Sequence, residues 1–489
     1  MSPAGWRSSL ASALLLAVGL AGTVAAPAQG FDTPPQPGAP RPLTIAIPFE
    51  QRLPNGLRVV LAERRGVQLV SAQLVVLSGS EVDPPRQAGL AELTAGMLAK
   101  GTRRRSASAL AQAAESLGGA LENSAGWHQS EIAITVTVPK LDAALALVGE
   151  AVQQPAFAPA ELDRLRAQAL DELKVAYSRP ATLATLASQR QLFGSGAYGH
   201  PSSGTPASLA RIDRAALLAY HARHYRPDNA VLVLAGDLDA GSALRLARRH
   251  FGAWKASRPA GVQRTAPMGA PLPQTVTVID MPASGQTAVV VAAPLSPLTS
   301  DRATAAVMNA VLGGGYSSRL NQEIRIRRGL SYGATSVLDM RPGGNSLRAV
   351  VQTKNASAAE VVRLVQAEFD RLVATPVGAA ELAARKASLI GEFSRGVETT
   401  AGLGATVKAL IIAGRPLAEL SQHIEALSSV GADAVQRYAA EHLGAADRRV
   451  VIAGDAASFI EALRAAAPGV SVVPAGRLDL DAGMASGTP

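Results

Sequence analysis

The sequence predicts an α+β fold made twice, as two homologous halves related by duplication. Three observations carry this. Apolar strand-like runs and longer helical patterns mix along the chain without a regular βαβ alternation. One stretch, Leu209–Asp237, recurs as Leu427–Asp455 without a gap. Between the copies lies Ala256–Gln274, rich in Pro and Gly, which reads as an interdomain linker. At 489 residues the chain can build two domains, each with its own core.

The repeat is specific. Leu209 falls on Leu427, Ala216 on Ala434, Tyr220 on Tyr438, Ala222 on Ala440 and His224 on His442. Val233, Ala235, Gly236 and Asp237 fall on Val451, Ala453, Gly454 and Asp455. Each copy reads as a helix, a polar turn and an apolar strand ending in Ala-Gly-Asp. The period is that of a whole domain, so this is duplication rather than a solenoid.

In chain order, Arg7 and the apolar run Leu10–Val24, followed by Ala26-Pro27-Ala28, read as a secretory signal over residues 1–28. Residues 29–45, rich in Pro, Gly and Gln, read as a disordered leader. The N-terminal half is expected over 46–255. It opens with a hairpin at Gln51–Glu63 around the Asn55-Gly56 turn, followed by a strand at Val67–Leu77. Helices are expected at Gly89–Ala99, Ala107–Leu117, Leu141–Gln153 and Ala160–Tyr177, with a strand at Ile132–Val138. After the 256–274 linker the C-terminal half spans 275–466. Strands Thr275–Ile279 and Thr287–Ala293 precede helices Arg302–Leu312 and Ser357–Leu372. Ser357 with Glu360 reads as a capping box. Residues 467–489 turn to Pro, Gly and Ser and read as a fraying tail.

Composition narrows the function. There is no cysteine, so disulfides, thiolate nucleophiles and Cys-zinc sites are excluded. The formal net charge of +9 favours acidic peptides or an acidic partner. No lysine-rich tract or aromatic-basic motif points to nucleic acid. No segment after the signal is long and apolar enough to span a membrane. The signal and overall character predict a periplasmic protein.

The most informative stretch is Gly89–Thr102, GLAELTAGMLAKGT. It resembles the zinc-binding helix of the insulinase/pitrilysin (M16) peptidase family, which reads roughly G-x-A-H-x-x-E-H-M-x-x-K-G-T. Gly89, Ala91, Met97, Lys100, Gly101 and Thr102 match. Glu92 stands at the first ligand His, Ala95 at the general-base Glu and Gly96 at the second ligand His. Further family-like words are Asn55-Gly56-Leu57-Arg58, His200-Pro201 with Gly204-Thr205, and Tyr225-Arg226-Pro227-Asp228-Asn229. The resemblance covers roughly residues 46–466. It implies two homologous α/β sandwich halves facing each other across a peptide-sized chamber.

A zincin helix needs two His one turn apart and a Glu to activate the bound water. All three are missing, so no catalytic residue is expected here. The position resembling the third ligand is Glu172, read as a vestigial, exposed helix residue. No zinc is expected in this chain. His221 and His224 sit three apart without an acidic residue between them, and are read as structural.

The second half keeps more. Gly313, Gly314 and Gly315 resemble the family's glycine-rich loop. Arg325 and Tyr332 match the spacing of its substrate-binding Arg/Tyr pair. The resemblance implies a non-catalytic subunit that pairs with a zinc-motif paralogue, supplying Arg325 and Tyr332 to a composite peptide site. The alternative is a non-proteolytic peptide-binding or assembly scaffold.

Overall fold

A computed structural model describes residues 45–84, 86–255, 269–296, 301–467, 469–481 and 484. The signal, nearly all the leader and most of the linker lie outside the described residues. In the N-terminal half the strands are β1 (Phe49–Arg52), β2 (Arg58–Glu63), β3 (Leu69–Val76), β4 (Glu122–Ala125), β5 (Ser130–Thr137) and β6 (Ala230–Gly236). Its helices are α1 (Leu90–Met97), α2 (Ala107–Glu115), α3 (Leu141–Gln153), α4 (Pro159–Tyr177), α5 (Pro180–Phe193), α6 (Pro206–Arg211), α7 (Arg214–His224) and α8 (Ala240–Phe251). The C-terminal half holds β7 (Val276–Asp280), β8 (Thr287–Leu295), β9 (Ala334–Asp339), β10 (Asn345–Thr353), β11 (Arg449–Gly454) and β12 (Ser471–Pro474). Its helices are α9 (Arg302–Leu312), α10 (Ala358–Ala374), α11 (Ala379–Gly396), α12 (Thr400–Ile412), α13 (Glu419–Ser428), α14 (Ala432–His442) and α15 (Ile460–Ala466).

Each half forms a six-stranded sheet, ordered β1-β2-β6-β3-β5-β4 and β12-β7-β11-β8-β10-β9. The duplication reaches the pairing itself. β2 runs parallel to β6 as β7 does to β11, and the remaining three pairings of each sheet are antiparallel. The sixth strand differs, since β1 pairs antiparallel with β2 whereas β12 pairs parallel with β7.

The repeated residues have physical reasons. The repeated glycine closes strands β6 and β11, where a neighbouring strand passes too close for a side chain. A Cβ on Gly236 would lie 2.1 Å from the Leu69 carbonyl oxygen, and one on Gly454 2.1 Å from Thr287 Oγ1. The repeated Tyr/His pair stacks one helical turn apart in both copies, with ring centroids 4.5 Å apart for Tyr220–His224 and 4.4 Å for Tyr438–His442.

The halves are interlocked by exchanged helices. One face of each sheet carries its own half's helices. On the other face of the N-terminal sheet, Leu403, Val407 and Ile411 of α12 bury against Val60, Val75, Val231 and Val233. Reciprocally, Leu183, Ala184 and Ala187 of α5 bury against Ile279, Val290 and Val451 of the C-terminal sheet. The expected two halves are present, and each covers the other's sheet. Gly404 serves this packing. A Cβ on Gly404 would approach Gln73 Nε2 to 2.8 Å.

Two expectations change. Beyond Ala467 the chain continues as the edge strand β12, and Leu480 is buried. Thr205 Oγ1 donates to Asp481 at 2.6 Å, so the segment after β12 is tied back to the N-terminal half. Buried Val473 and Leu480, with Val470 and Leu478 packed on the core, supply apolar contacts that Pro/Gly/Ser composition conceals. The capping box at Ser357 also does not form. A short 3-10 turn, Asn355–Ser357, runs directly into α10 and gives Ser357 a helical backbone instead of the extended one a cap needs. Glu360 pairs with Arg328 instead.

Candidate functional site

The matching residues of the Gly89–Thr102 stretch are structural. Gly89 has φ 92°, a left-handed conformation that favours glycine. The Asp83 carboxylate accepts from the N–H groups of Gly89 and Ala91, both at 2.9 Å, and so satisfies the start of α1. Ala91 and Met97 are fully buried. Gly101 is left-handed too, and Thr102 Oγ1 donates to Glu150 while accepting from the N–H groups of Arg104 and Arg105. Packing and turn chemistry therefore preserve the frame without any catalytic requirement.

Glu92, Ala95 and Gly96 share one face of α1 by helical spacing. Glu92 is exposed, and its Oε2 accepts from the Ala125 N–H at 3.3 Å. The surrounding walls push its carboxyl above the usual range. The Ala125 bond opposes this, and the nearby charge of Glu172 adds to it. Ala95 is fully buried. At Gly96 a Cβ would lie 2.9 Å from Leu165 Cδ2 of α4. Leucine thus occupies the space next to the second-ligand position. The structure brings Glu172 into electrostatic range of Glu92. Glu172 is exposed and its Oε1 accepts from Gln168 at 2.8 Å. A cavity of about 730 Å³ runs along α4 and the start of α5, lined by Asp171, Glu172, Val175, Arg179 and Thr182.

These residues do not fit a catalytic zinc. Two carboxylates without a histidine are a poor donor set, and Leu165 crowds the helix at Gly96. Among the described residues no group of three or more His, Asp or Glu is placed to hold a metal ion. His221 bonds through Nε2 to the Val152 carbonyl at 2.8 Å, and His224 through Nδ1 to Ser78 Oγ at 3.0 Å. Both are half-buried or buried and serve packing, as their spacing without a base predicts.

In the C-terminal half the glycine loop leaves α9 and is tightly packed at its start. A Cβ on Gly313 would lie 2.3 Å from the Ser336 nitrogen, and one on Gly314 2.8 Å from the Ala310 Cα, whereas Gly315 faces open space. The loop's exit is clamped by α11. Arg319 pairs with Glu381 at 2.8 Å, and Arg385 donates to Ser317 Oγ at 2.6 Å. Next comes a π-helical turn, Asn321–Arg327. Such turns recur at functional sites. Arg327 and Arg328 are neutralised by Glu323, and Arg328 also by Glu360. Arg325 instead stacks its guanidinium on Tyr316, 4.8 Å from the ring centroid. Tyr332 is 90% exposed and Tyr316 65%. An aromatic-cationic patch thus stands open on this half. The structure gives Arg325 and Tyr332 no contact with Glu92 or Glu172.

Two family models match adjacent stretches of the chain. One, the insulinase (peptidase family M16) model, covers residues 58–205, and the other, the peptidase M16 inactive domain, covers 211–389. The chain belongs to the M16 peptidase family. An uncharacterized zinc protease of Mycobacterium leprae is 29% identical to this M16 chain, over 71% of it and 78% of the relative. A protein of Helicobacter pylori described as a non-peptidase homolog is 25% identical, over 73% and 83%. Among solved structures, a peptidase M16 inactive domain from Pseudomonas fluorescens superposes with TM-score 0.77 at 27% identity, covering 83% of this chain and 98% of its own. A protease from Helicobacter pylori gives TM-score 0.80 at 17% identity, over 84% and 100%, which speaks to fold alone.

Sequence reading missed three residues of this M16 chain. Leu165 carries no motif signal, because its role depends on where α4 crosses α1. Asn321 reads as an ordinary helix residue. Arg341 enters an aromatic box on the other half, 4.7 Å from the Trp127 ring centroid and 5.1 Å from that of Tyr198. No sequence pattern announces that long-range contact.

Proposed function

We propose that this M16 chain is the zinc-lacking member of a two-chain periplasmic peptidase. It supplies Arg325 and Tyr332 to a peptide held against a zinc-bearing paralogue. One observation carries the reading: α1 presents Glu92, Ala95 and Gly96 where a zinc site needs ligands and a base, while Tyr332 stands 90% exposed in the half that stacks Arg325 on Tyr316. A solitary exposed tyrosine is unremarkable, but this one follows a clamped glycine loop and a π-helical turn in the chain.

In this role the guanidinium and phenol donate hydrogen bonds to peptide carbonyls, whose oxygens gain charge as the amide is attacked at the partner's metal. The exchanged helices support a second chain as the source of the facing wall, since each half already covers the other's sheet. A partner with an acidic surface suits the chain's charge of +9.

The test is reconstitution. The purified chain should hold no stoichiometric zinc and cleave no peptide, and co-expression with a zinc-motif paralogue should give activity. Arg325→Ala or Tyr332→Phe should then lower kcat on the order of 10²-fold, as expected for loss of one transition-state donor. Full activity in both variants would end the composite-site reading. Peptide binding without hydrolysis in any pairing would favour the non-proteolytic scaffold.

A further inference from the structure

We propose that Asn321 is a positioning residue: it holds Tyr316, and with it the Arg325 stack, in register with the strand that follows Tyr332. This rests on the reading of Arg325 and Tyr332 as peptide-contacting groups. Asn321 is only 4% exposed and cannot itself meet a peptide. It opens the π-helical turn that presents Arg325. Its Nδ2 donates to the Tyr316 carbonyl, and its Oδ1 accepts from the Ala334 N–H at 3.4 Å. The amide orientation follows from the partners, because a carbonyl only accepts and an N–H only donates.

One buried side chain therefore joins three segments. The first is the exit of the glycine loop, whose Tyr316 ring carries the Arg325 guanidinium. The second is the turn bearing Arg325. The third is the start of β9, two residues after Tyr332. The turn at Tyr332 is otherwise held locally, with Ser331 Oγ donating to the Gly333 carbonyl at 2.7 Å and accepting from the Gly333 N–H at 3.1 Å. Those bonds shape the turn but do not tie it to the glycine loop. The Ser336 N–H donates to the Gly313 carbonyl at 3.0 Å and joins β9 to the start of the glycine loop, and Asn321 supplies the tie at the loop's exit. An aliphatic residue of similar size fills the space but releases both bonds, and an aspartate keeps the acceptor while setting a carboxylate against the Tyr316 carbonyl.

The experiment uses the mature chain labelled with 3-fluorotyrosine. It has seven tyrosines, and Tyr316→Phe assigns the relevant fluorine resonance. Peptide affinity is read in parallel by anisotropy with a fluorescein-labelled pool of peptides from digested casein. In Asn321→Leu and Asn321→Asp the Tyr316 resonance should move toward its position in Arg325→Ala. The five remaining tyrosines apart from Tyr332 should stay in place, reporting an intact fold. The Kd for the pool should rise about tenfold, the factor associated with loss of one net hydrogen bond. An unmoved Tyr316 resonance in both variants overturns the proposal. So does a moved resonance with unchanged affinity when Arg325→Ala and Tyr332→Phe do weaken binding. If those two variants leave affinity unchanged, the peptide-contact reading falls, and the resonance alone decides whether Asn321 orders the patch.

Discussion

Restoring the zinc motif should not restore a zinc site. The perturbation is Glu92→His, Ala95→Glu and Gly96→His together. At Gly96 even the first side-chain carbon would sit 2.9 Å from Leu165 Cδ2, well inside the ~3.5–4.0 Å at which carbon atoms pack. Leu165 Cδ2 is the tip of a flexible, half-buried side chain that can turn aside, so a side chain there costs up to about 1 kcal/mol, and replacing a helix glycine returns up to about 1 kcal/mol. Ala95 is fully buried, so a glutamate there enters without a partner, at about 3–5 kcal/mol for an uncompensated charge. The net loss is about 2–6 kcal/mol, nearly all of it from the buried glutamate, against a typical domain stability of about 5–15 kcal/mol. Urea unfolding measures the loss, and metal analysis after dialysis against zinc measures uptake. Adding Leu165→Ala should recover part of the Gly96 term. A triple variant with an unshifted urea midpoint and one zinc per chain would refute the closed-site argument.

Two further outcomes follow from buried groups and the exchanged helices. Burial pushes the Glu81 carboxyl up to about 8 from an ordinary 4.5, against the Gly79 N–H bond that lowers it, while burial and then Arg341 pull His128 down to about 4 from 6.5. Between pH 4 and 6.5 His128 makes stability rise with pH, because only the unfolded state binds its proton; Glu81 opposes this from pH 4.5 and alone makes stability fall by about 2 kcal/mol between pH 6.5 and 8, because only the folded state keeps its proton. Glu81→Gln should flatten that upper limb in pH-dependent urea melts, and an unchanged slope would remove Glu81 as its source. Leu403→Ala should cost about 2–4 kcal/mol, since Leu403 of α12 buries against N-terminal strands. Both halves should still unfold in one transition, and separate transitions by two probes would contradict the interlock.

Much of the fold was legible from local patterns. Leu141–Gln153 and Arg302–Leu312 form helices with the expected limits, because apolar periodicity and flanking breakers act within a few residues. The duplication was legible too, since Gly236 and Gly454 answer the same steric demand at the same strand ends. The residues at the zinc-ligand positions and the Arg325/Tyr332 spacing also stood in the sequence, because motifs are local. β12 escaped notice for the opposite reason: a four-residue strand is defined by pairing with β7, far away in the chain.

The sequence by itself determined two α+β halves, a helix stripped of metal ligands and a retained Arg/Tyr pair. Only the tertiary structure decided that Leu165 lies against Gly96, that α5 and α12 change sides, and that Asn321 joins the exit of the glycine loop to β9. These depend on which distant segments meet. Periodicity tells a helix which face to bury, but not which leucine of another helix will lie against its glycine.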